Sequence, residues 1–421
     1  MEMDNIKKLL LGNYNLILTG APGTGKTYLA KKIAEAIGAN KDTIKMVQFH
    51  PSYDYTDFVE GLRPIKEGET LGFQRKDGVF KAFCKNAILH SNNDEKLKKL
   101  FEEEYKNAYK EIVEGKLTEI PIGNGRTKKT FYGDNGQWGL TTGVERRNGT
   151  PGDLSYLNSV LKYINSRIFS NGNCSPFENM RDIIGGNTTD IKYVIHFLYG
   201  RISEREQINK PIPYVFIIDE INRGEISKIF GELFYSIDSG YRGIKGRVET
   251  QYQNLVPEDD VFGKGFYIPE NVYIIGTMND IDRSVESMDF AMRRRFAWKE
   301  ITAKARQSML DEDDTWKPYG KPDPIIIAEM KARMDNLNAA IIDQYGDKEL
   351  SNKDKVGLTK AYQIGAAYFL KYALYSDSNN PFDELWTNHL EGLLYEYLRG
   401  KTNIDEKIDR LHQAYNDTTK H

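Results

Sequence analysis

The stretch NLILTGAPGTGKT at residues 15–27 decides the fold. Its first five residues are typical of a buried strand, and apolar residues recur at helical spacing after the loop. A glycine-rich loop between a strand and a helix predicts a P-loop, because backbone N–H groups can surround phosphate oxygens only where no side chain blocks them. Lys26 is then predicted to contact the β- and γ-phosphates, and the Thr27 hydroxyl to bind Mg²⁺. The other loop residues predicted to contact the nucleotide are Gly20, Pro22, Gly23, Thr24 and Gly25.

Two further apolar strands end in polar residues that suit catalysis. The strand predicted at 214–218 is followed by Asp219, which suits Mg²⁺, and by Glu220, which suits a base that orients an attacking water. The strand predicted at 272–276 is followed by Asn279, whose amide can hydrogen-bond the water or the γ-phosphate without adding charge. Acidic pairs and asparagines at strand ends are commonly structural. Their occurrence together with a P-loop favours the catalytic interpretation.

The composition excludes several classes of protein. The chain has 421 residues, and at roughly 150 residues per domain this length leaves room for two or three domains. Hydrophobic residues make up 39% and charged residues 28%, a balance that excludes wholesale disorder. The net charge of −3 means that any contact with nucleic acid needs a local basic patch.

Cysteine content and hydropathy indicate the compartment. Cys84 and Cys174 are the two cysteines and have no histidines at metal-ligand spacing, which argues against zinc and for a reducing compartment. The N-terminus has no signal-peptide pattern, and nowhere do ~18 apolar residues run together. We therefore expect a cytoplasmic protein with no membrane contact.

The chain is organised in four segments. The α/β pattern occupies residues 1–89 and 211–305, which together predict one α/β layered domain. Residues 90–210 between these blocks are typical of an α+β insert, and residues 306–421 are mostly helical. Within the insert, the predicted elements are helices at 92–114, 153–168 and 189–199 and strands at 119–122, 130–132 and 137–141.

Residues 115–150 of the insert combine basic and aromatic side chains. A hairpin of this composition can contact phosphates and stack on a base. The same aromatics are equally what a small insert needs for a core, and contact with another protein is a third interpretation. The basic residues are Lys116, Arg126, Lys128, Lys129, Arg146 and Arg147, the acidic ones Glu119, Asp134 and Glu145, and the aromatic ones Phe131, Tyr132 and Trp138.

Four motifs in this order resemble an AAA+ ATPase-type module, and more narrowly the McrB family, the GTP-dependent motor subunit of McrBC-type modification-dependent (type IV) restriction systems. The motifs are GAPGTGKT (20–27), FIIDEINRG (216–224), IIGTMNDIDRS (274–284) and MDFAMRRRF (288–296). Further matches are FHPSY (49–53), DFVEG (57–61), GF (72–73), RKDG (75–78), YQIG (362–365) and LLYEY (393–397). The resemblance covers most of the chain outside the insert.

The resemblance implies an α/β AAA+ P-loop NTPase module with a parallel sheet, into which the insert is placed, and a C-terminal helical lid. Glu220 would be the catalytic base and Asn279 the sensor, and the two arginines of the last motif would act on the nucleotide of an adjacent copy. The residues that the resemblance assigns to catalysis are Glu220, Asn279, Arg293 and Arg294, and those that it assigns to nucleotide or Mg²⁺ are Lys26, Thr27, Asp219 and Asp282.

The resemblance also implies substrates and partners. GTP, or alternatively ATP, would be hydrolysed with Mg²⁺ by a homo-oligomer, expected to be a hexameric ring. A separate McrC-like nuclease subunit would cut DNA, because this chain has no convincing nuclease cluster of its own. Contact with DNA would be direct or through that partner.

Several positions depart from the family pattern. The chain starts at the nucleotide domain, so the N-terminal reader of modified DNA is expected to be absent. Ala366 stands where the family often has histidine, and no arginine between Gly357 and Leu374 can act as the usual sensor-2 cation. His50 is tempting as a catalytic or metal-binding residue, but its motif favours a structural or interface role.

Two other classes of function remain open. One is a MoxR-like or dynein-related AAA+ ATPase that remodels a protein partner without DNA. The other is a nucleotide-switched scaffold with little turnover, against which the intact Asp219-Glu220 pair argues.

Overall fold

The structure is a computed structural model. It describes residues 2–67, 70–89, 94–123, 125–132, 138–140, 156–165, 188–206, 212–281, 290–346 and 355–418. The chain forms two compact units, of which the first contains residues 1–85 and 213–421 and the second contains residues 86–212. The predicted insert has nearby limits, 90–210.

The strands predicted at 15–19, 119–122, 130–132, 137–141, 214–218 and 272–276 each fall on an observed strand, and the third of these begins earlier than predicted, at Arg126. In chain order the observed strands are β1 (Asn15–Thr19), β2 (Ile44–Gln48), β3 (Glu60–Glu67), β4 (Thr70–Asp77), β5 (Glu119–Gly123), β6 (Arg126–Tyr132), β7 (Trp138–Leu140), β8 (Tyr214–Asp219), β9 (Val272–Thr277) and β10 (Ala297–Glu300).

The α-helices lie mostly at the two ends of the first unit and in the second unit. They are α1 (Glu2–Asn13), α2 (Lys26–Ala36), α3 (Tyr55–Phe58), α4 (Val79–Leu89), α5 (Asp94–Val113), α6 (Tyr156–Asn165), α7 (Thr188–Glu206), α8 (Ile226–Phe230), α9 (Leu233–Ser236), α10 (Phe290–Arg293), α11 (Asp313–Trp316), α12 (Pro324–Ile341), α13 (Pro381–Leu385), α14 (Glu391–Tyr397) and α15 (Ile404–Asn416). The longest 3₁₀ segments are Ala305–Asp311 and Ala366–Tyr375.

The first unit is built on a five-stranded sheet in the order β10-β1-β9-β8-β2. Every neighbouring pair of strands is parallel. The central strands β1 and β8 are apolar and almost wholly buried, as expected where both faces of a parallel sheet are covered. The predicted α/β fold with a parallel sheet is confirmed. Since the strands run the same way, their carboxyl ends bring Asp219 and Thr277 to one edge.

The C-terminal part of the first unit is a helical layer with its own core. Pro324 begins α12, where the Asp323 carboxylate accepts a hydrogen bond from the N–H of Ile325 at 2.8 Å. Met330, Met334 and Leu337 follow at helical spacing and are completely buried in one apolar cluster with residues of α13, α14 and α15.

The second unit packs α5, α6 and α7 around a three-stranded antiparallel sheet. Trp138 is completely buried there, and its indole N–H donates to the backbone carbonyl of Tyr105 at 3.1 Å. Trp138 is therefore a core residue and is not available to stack on a base. Lys128 pairs with Asp190 at 2.5 Å, whereas Tyr132 is exposed.

The remaining charges of the predicted basic hairpin are only partly described. Arg126 and Lys129 are exposed on β6, and Lys116 is exposed beside Glu114. Outside the described residues lie four further charged residues of this segment, Asp134, Glu145, Arg146 and Arg147, and also Cys174.

Within the part of the chain that is described, no helix combines the length and apolar character needed to cross a membrane.

Candidate nucleotide-hydrolysis site

The loop between β1 and α2 has a backbone that favours glycine. Gly20, Gly23 and Gly25 have φ values of 142°, 75° and 74°, which side chains rarely adopt. A Cβ on Gly20 would lie 2.3 Å from the carbonyl oxygen of Ile301. Because α2 begins at Lys26, the free N–H groups and the positive end of its dipole adjoin this loop. The predicted phosphate-binding loop therefore has the required strand–loop–helix context.

Lys26 is 6% exposed, and its ammonium group lies within the loop. The ammonium donates hydrogen bonds to the carbonyl oxygens of Gly20 (3.0 Å) and Ala21 (2.9 Å) and to Oδ1 of Asn279 (2.8 Å). Burial lowers the pKa of Lys26 to about 8, and the negative charges of Asp280, Glu220 and Asp219 oppose this shift. The ammonium thus bonds neutral oxygens, and its positive charge offsets the nearby carboxylates, which would otherwise repel an incoming phosphate.

Asp219 and Thr27 meet at the predicted Mg²⁺ position. The Thr27 hydroxyl donates a hydrogen bond to Oδ1 of Asp219 at 2.7 Å, and the Thr277 hydroxyl donates to the same oxygen at 2.5 Å. Carboxylate and hydroxyl oxygens are hard donors of the kind that Mg²⁺ prefers. The residues present therefore fit the ion that the resemblance implies.

Glu220 has a left-handed backbone, with φ 52° and ψ 47°. A non-glycine residue in this region costs about 1–3 kcal/mol and persists only where the surroundings hold it. Nδ2 of Asn279 donates to Oε1 of Glu220 at 2.6 Å, and Nε of Arg223 lies 3.5 Å from Oε2. Asn279 therefore links the buried ammonium of Lys26 to the carboxylate of Glu220.

Two polar residues of the site have no predicted role. Thr277 is visible in the sequence only as the end of a strand, yet its hydroxyl bonds Asp219. Asp280 follows Asn279 directly, its N–H donates to the carbonyl of Gly20 at 3.4 Å, and partial desolvation raises the pKa of its carboxyl group. Asp282, the acidic residue of the family motif, lies outside the described residues.

The C-terminal helical lid, residues 306–421, contacts the P-loop through main-chain groups of both segments. The N–H groups of Gly365 and Ala367 donate to the carbonyls of Pro22 (3.1 Å) and Gly23 (2.9 Å). A Cβ on Gly23 would lie 2.6 Å from the ring of Tyr368. The segment that lacks a sensor-2 arginine therefore fixes the loop with main-chain groups.

Gly365→Ala is expected to disrupt this contact. A Cβ at Gly365 would lie 2.1 Å from the carbonyl carbon of Gly23, so the loop or the lid must shift. We expect the free energy of unfolding to fall by about 1–3 kcal/mol, as for other overpacked sites. Urea denaturation measures the change. Gly392→Ala is the control, because a Cβ there meets nothing within 4 Å in α14. Equal stability of the two variants would contradict the contact.

Three residues singled out in the sequence make no side-chain bond to Lys26, Asp219, Glu220 or Asn279 within the described parts of the chain: Arg293, Arg294 and His50. Both arginines are exposed. The guanidinium of Arg293 lies 4.8 Å from the centre of the Trp298 ring. His50 is exposed and contacts Tyr53 edge-on.

Comparison with known protein families identifies the family to which the residues of this site belong. The AAA domain family, in its dynein-related subfamily, matches residues 15–113 and 179–296, just over half of the chain. The chain belongs to this family. The matched residues of this AAA domain include the P-loop, Asp219, Glu220 and Asn279, whereas the unmatched residues 114–178 lie within the second unit. The predicted AAA+ fold is thereby confirmed.

Two curated relatives are components of restriction enzymes. The chain is 26% identical over 395 residues to the type IV methyl-directed restriction enzyme EcoKMcrB subunit of Escherichia coli. The aligned residues cover 92% of this chain and 53% of the relative. It is also 26% identical over 112 residues to the type II restriction enzyme BsuMI component YdiS of Bacillus subtilis, 26% of this chain and 32% of that protein. The chain thus spans about half the length of the first relative and a third of the second. With the family match, these similarities confirm the resemblance to McrB-type AAA+ proteins.

Proposed function

We propose that this chain is a ring-forming AAA+ nucleoside triphosphatase, with GTP as the preferred substrate, that serves as the motor subunit of a DNA restriction system. In this proposal it drives a separate McrC-like nuclease. The observation that carries the proposal is the bonded path from Lys26 through Asn279 to Glu220, beside the pair of Thr27 and Asp219. The similarity to restriction-enzyme components supports the biological setting.

Each residue has a distinct role in the proposed reaction. Lys26 holds the β- and γ-phosphates, and Thr27 with Asp219 would hold Mg²⁺, which neutralises charge on the phosphate oxygens when bound. Glu220 accepts a proton from the attacking water, because its carboxylate is held by Asn279 near the end of β8. In this scheme Lys26 binds the nucleotide in the ground state, and Glu220 activates the attacking water.

The exposed arginines suit contact with another copy of the chain. Arg293 and Arg294 are exposed at the end of α10. In a ring, either guanidinium can stabilise charge on the γ-phosphate bound by the neighbour, a contribution of ~10³–10⁵ in rate where such fingers occur. This role explains why a complete site would need assembly.

A protein-remodelling ATPase is the alternative, and the dynein-related description of the matching family favours it. Such an enzyme is expected to hydrolyse ATP at a rate that no nuclease subunit changes. The two functions therefore differ in the preferred nucleotide and in the response to a nuclease partner.

The proposal is tested by steady-state hydrolysis of GTP and of ATP. The two rates are measured side by side during a titration with the McrC-like subunit. We expect slow turnover by the chain alone and a rise of severalfold or more with the partner. The lid lacks a sensor-2 arginine, so the reacting groups of the chain alone are expected to be misaligned until the partner binds. A displacement of about 1 Å in these groups can cost ~100-fold in rate. Fast ATP hydrolysis that the subunit does not change would contradict the proposal and support remodelling.

A further inference from the structure

The arginine turn, residues 293–295, joins the end of α10 to β10 and consists of three consecutive arginines. Side chains outside the turn bond its main-chain carbonyls. The indole N–H of Trp298 donates to the carbonyl of the first arginine at 2.9 Å. Nδ2 of Asn13 and Nδ2 of Asn15 both donate to the carbonyl of the third, at 3.1 Å and 3.0 Å. The backbone of the arginine turn is therefore held at both of its ends.

Asn15 is completely buried at the start of β1, and a buried cation fixes the orientation of its amide. Oδ1 of Asn15 accepts a hydrogen bond from Nη2 of Arg242 at 2.5 Å. A guanidinium has donors only, so it bonds the oxygen end of the amide and leaves Nδ2 for carbonyls. Nδ2 donates to the carbonyls of Ile237 (2.7 Å) and Arg295 (3.0 Å). Arg242 therefore determines which end of Asn15 faces the arginine turn.

Arg242 is itself held in place and is only 1% exposed. Nη1 donates to the carbonyl of Val272 at 3.3 Å, and the guanidinium lies 5.4 Å from the centre of the Tyr14 ring, which stacks on Tyr273. Burial lowers the pKa of Arg242 to about 10, so the group remains charged at neutral pH. A buried charge is tolerated only with hydrogen-bond partners, and a movement of Asn15 would remove one of them. The orientation of Asn15 is therefore anchored to both β1 and β9.

The outer two arginine side chains of the turn contact groups of their own chain. The guanidinium of Arg293 lies over the Trp298 ring, 4.8 Å from its centre. Nη1 of Arg295 donates to the carbonyl of Ala291 at 2.6 Å. Arg294 is exposed between the two anchored carbonyls. The middle side chain is thus at the surface, on a backbone that is fixed on both sides.

Stability alone does not require this arrangement. The carbonyls of a turn at the surface can be hydrogen-bonded by water, and burial of a guanidinium costs free energy that neutral acceptors offset only in part. Catalysis in trans does require a fixed turn, because a displacement of about 1 Å in a reacting group can cost ~100-fold in rate. A guanidinium on a fixed backbone also loses less conformational entropy when it meets a phosphate. The arrangement is therefore better explained by positioning than by folding.

We propose that Asn13, Asn15 and Trp298 position the arginine turn for contact with the γ-phosphate bound by a neighbouring copy of the chain. Arg242 contributes by holding Asn15 in its orientation. All four are positioning residues, and none of them touches the nucleotide in this proposal. The inference rests on the proposed function, because it explains what holds the arginines that act in trans.

The test uses variants of the full chain that leave all three arginines in place. Asn13→Ala with Trp298→Phe removes two of the three side-chain donors and keeps an aromatic ring. Asn15→Ala removes the third donor. If Asn15→Ala does not fold, the double variant decides alone, because its two substitutions are at half-buried positions. Asn388→Ala is the control, since Asn388 is an exposed asparagine of the lid.

Hydrolysis of GTP with the McrC-like subunit at saturation, binding of a fluorescent GTP analogue and the melting temperature are measured for each variant. Each variant is then mixed with Lys26→Ala, which contributes intact arginines but no functional phosphate site. Arg293→Ala with Arg294→Ala is the reference variant for a lost contact in trans.

We expect kcat of the positioning variants to fall by on the order of tenfold or more, with an unchanged affinity for the analogue, as for a misplaced reacting group. Mixing with Lys26→Ala should raise turnover above the sum of the separate rates, because the intact arginines then serve the nucleotide bound by the variant. The control should hydrolyse GTP as the wild type does. A merely structural loss would lower the melting temperature and would not be restored by mixing.

Two results would overturn the inference while the reference variant behaves as expected. One is a wild-type kcat in the double variant, and the other is a loss that mixing restores in the reference variant but not in the double variant. Full activity of the reference variant, no recovery when it is mixed, or an inactive wild type would instead contradict the proposed function.

Discussion

Lys26→Ala is expected to abolish measurable binding of GTP and ATP. The buried ammonium is within electrostatic reach of Asp219, Glu220 and Asp280, whose negative charges act on it. Without it, the phosphates would meet these carboxylates with no compensating charge from this position. Hydrogen bonds to charged groups contribute about 1.5–3 kcal/mol each, so the loss of several corresponds to on the order of 100-fold or more in affinity.

Titration with a fluorescent GTP analogue measures this loss. Lys31→Ala is the matched control, because Lys31 is an exposed lysine on the same helix. The control should bind as the wild type does. Binding by Lys26→Ala at wild-type affinity would show that phosphates are held elsewhere.

Glu220→Gln is expected to retain nucleotide binding and to lose turnover. The substitution keeps the size of the side chain and an oxygen that can accept the hydrogen bond from Asn279, but it removes the group that takes a proton from water. General bases contribute ~10²–10⁴ in rate, and kcat should fall by about that factor. Phosphate release, measured with the partner subunit present, gives the rate.

Glu225→Gln is the control for this substitution. Glu225 is an exposed carboxylate close along the chain, and its ion pair with Lys228 is on the surface. Its removal should leave kcat within about twofold, because exposed pairs contribute little. A comparable loss in both variants would point to an effect of charge near β8 and not to base catalysis.

The sequence is sufficient to predict the elements that carry the site, because each is a local pattern. The apolar run before the P-loop forms β1 at residues 15–19, and the run before Asp219 forms β8. Alternation of strands with helices predicts the α/β class, and the parallel sheet then brings residues of separate strands to one edge.

Contacts between distant backbone groups are not predictable in this way. The hydrogen bond from Gly365 to Pro22 joins positions far apart in the chain and has no side-chain signature. The absence of a sensor-2 arginine indicates that the lid differs here, but not that main-chain groups bond the loop. The contacts of Thr277 and Asp280 are not predictable either, because their partners lie on other elements.

The aromatic residues of the insert show a second limit. Trp138 is one of three aromatics interleaved with basic residues, a pattern that suits both stacking on bases and core packing. Burial against Tyr105 decides between them, and Tyr105 lies on a helix that precedes the hairpin. Tyr132, from the same segment, remains exposed. Composition alone therefore does not separate surface from core in a small insert.

The central claim is that one site binds the nucleotide through Lys26 and hydrolyses it through Glu220. The most direct test measures GTP binding and phosphate release on the same preparations of wild type, Lys26→Ala and Glu220→Gln, with Mg²⁺ and the partner subunit. We expect Lys26→Ala to lose both signals, whereas Glu220→Gln should bind as the wild type does and release no phosphate above ~1% of its rate. Equal loss of binding in both variants, or undiminished release by Glu220→Gln, would contradict the claim.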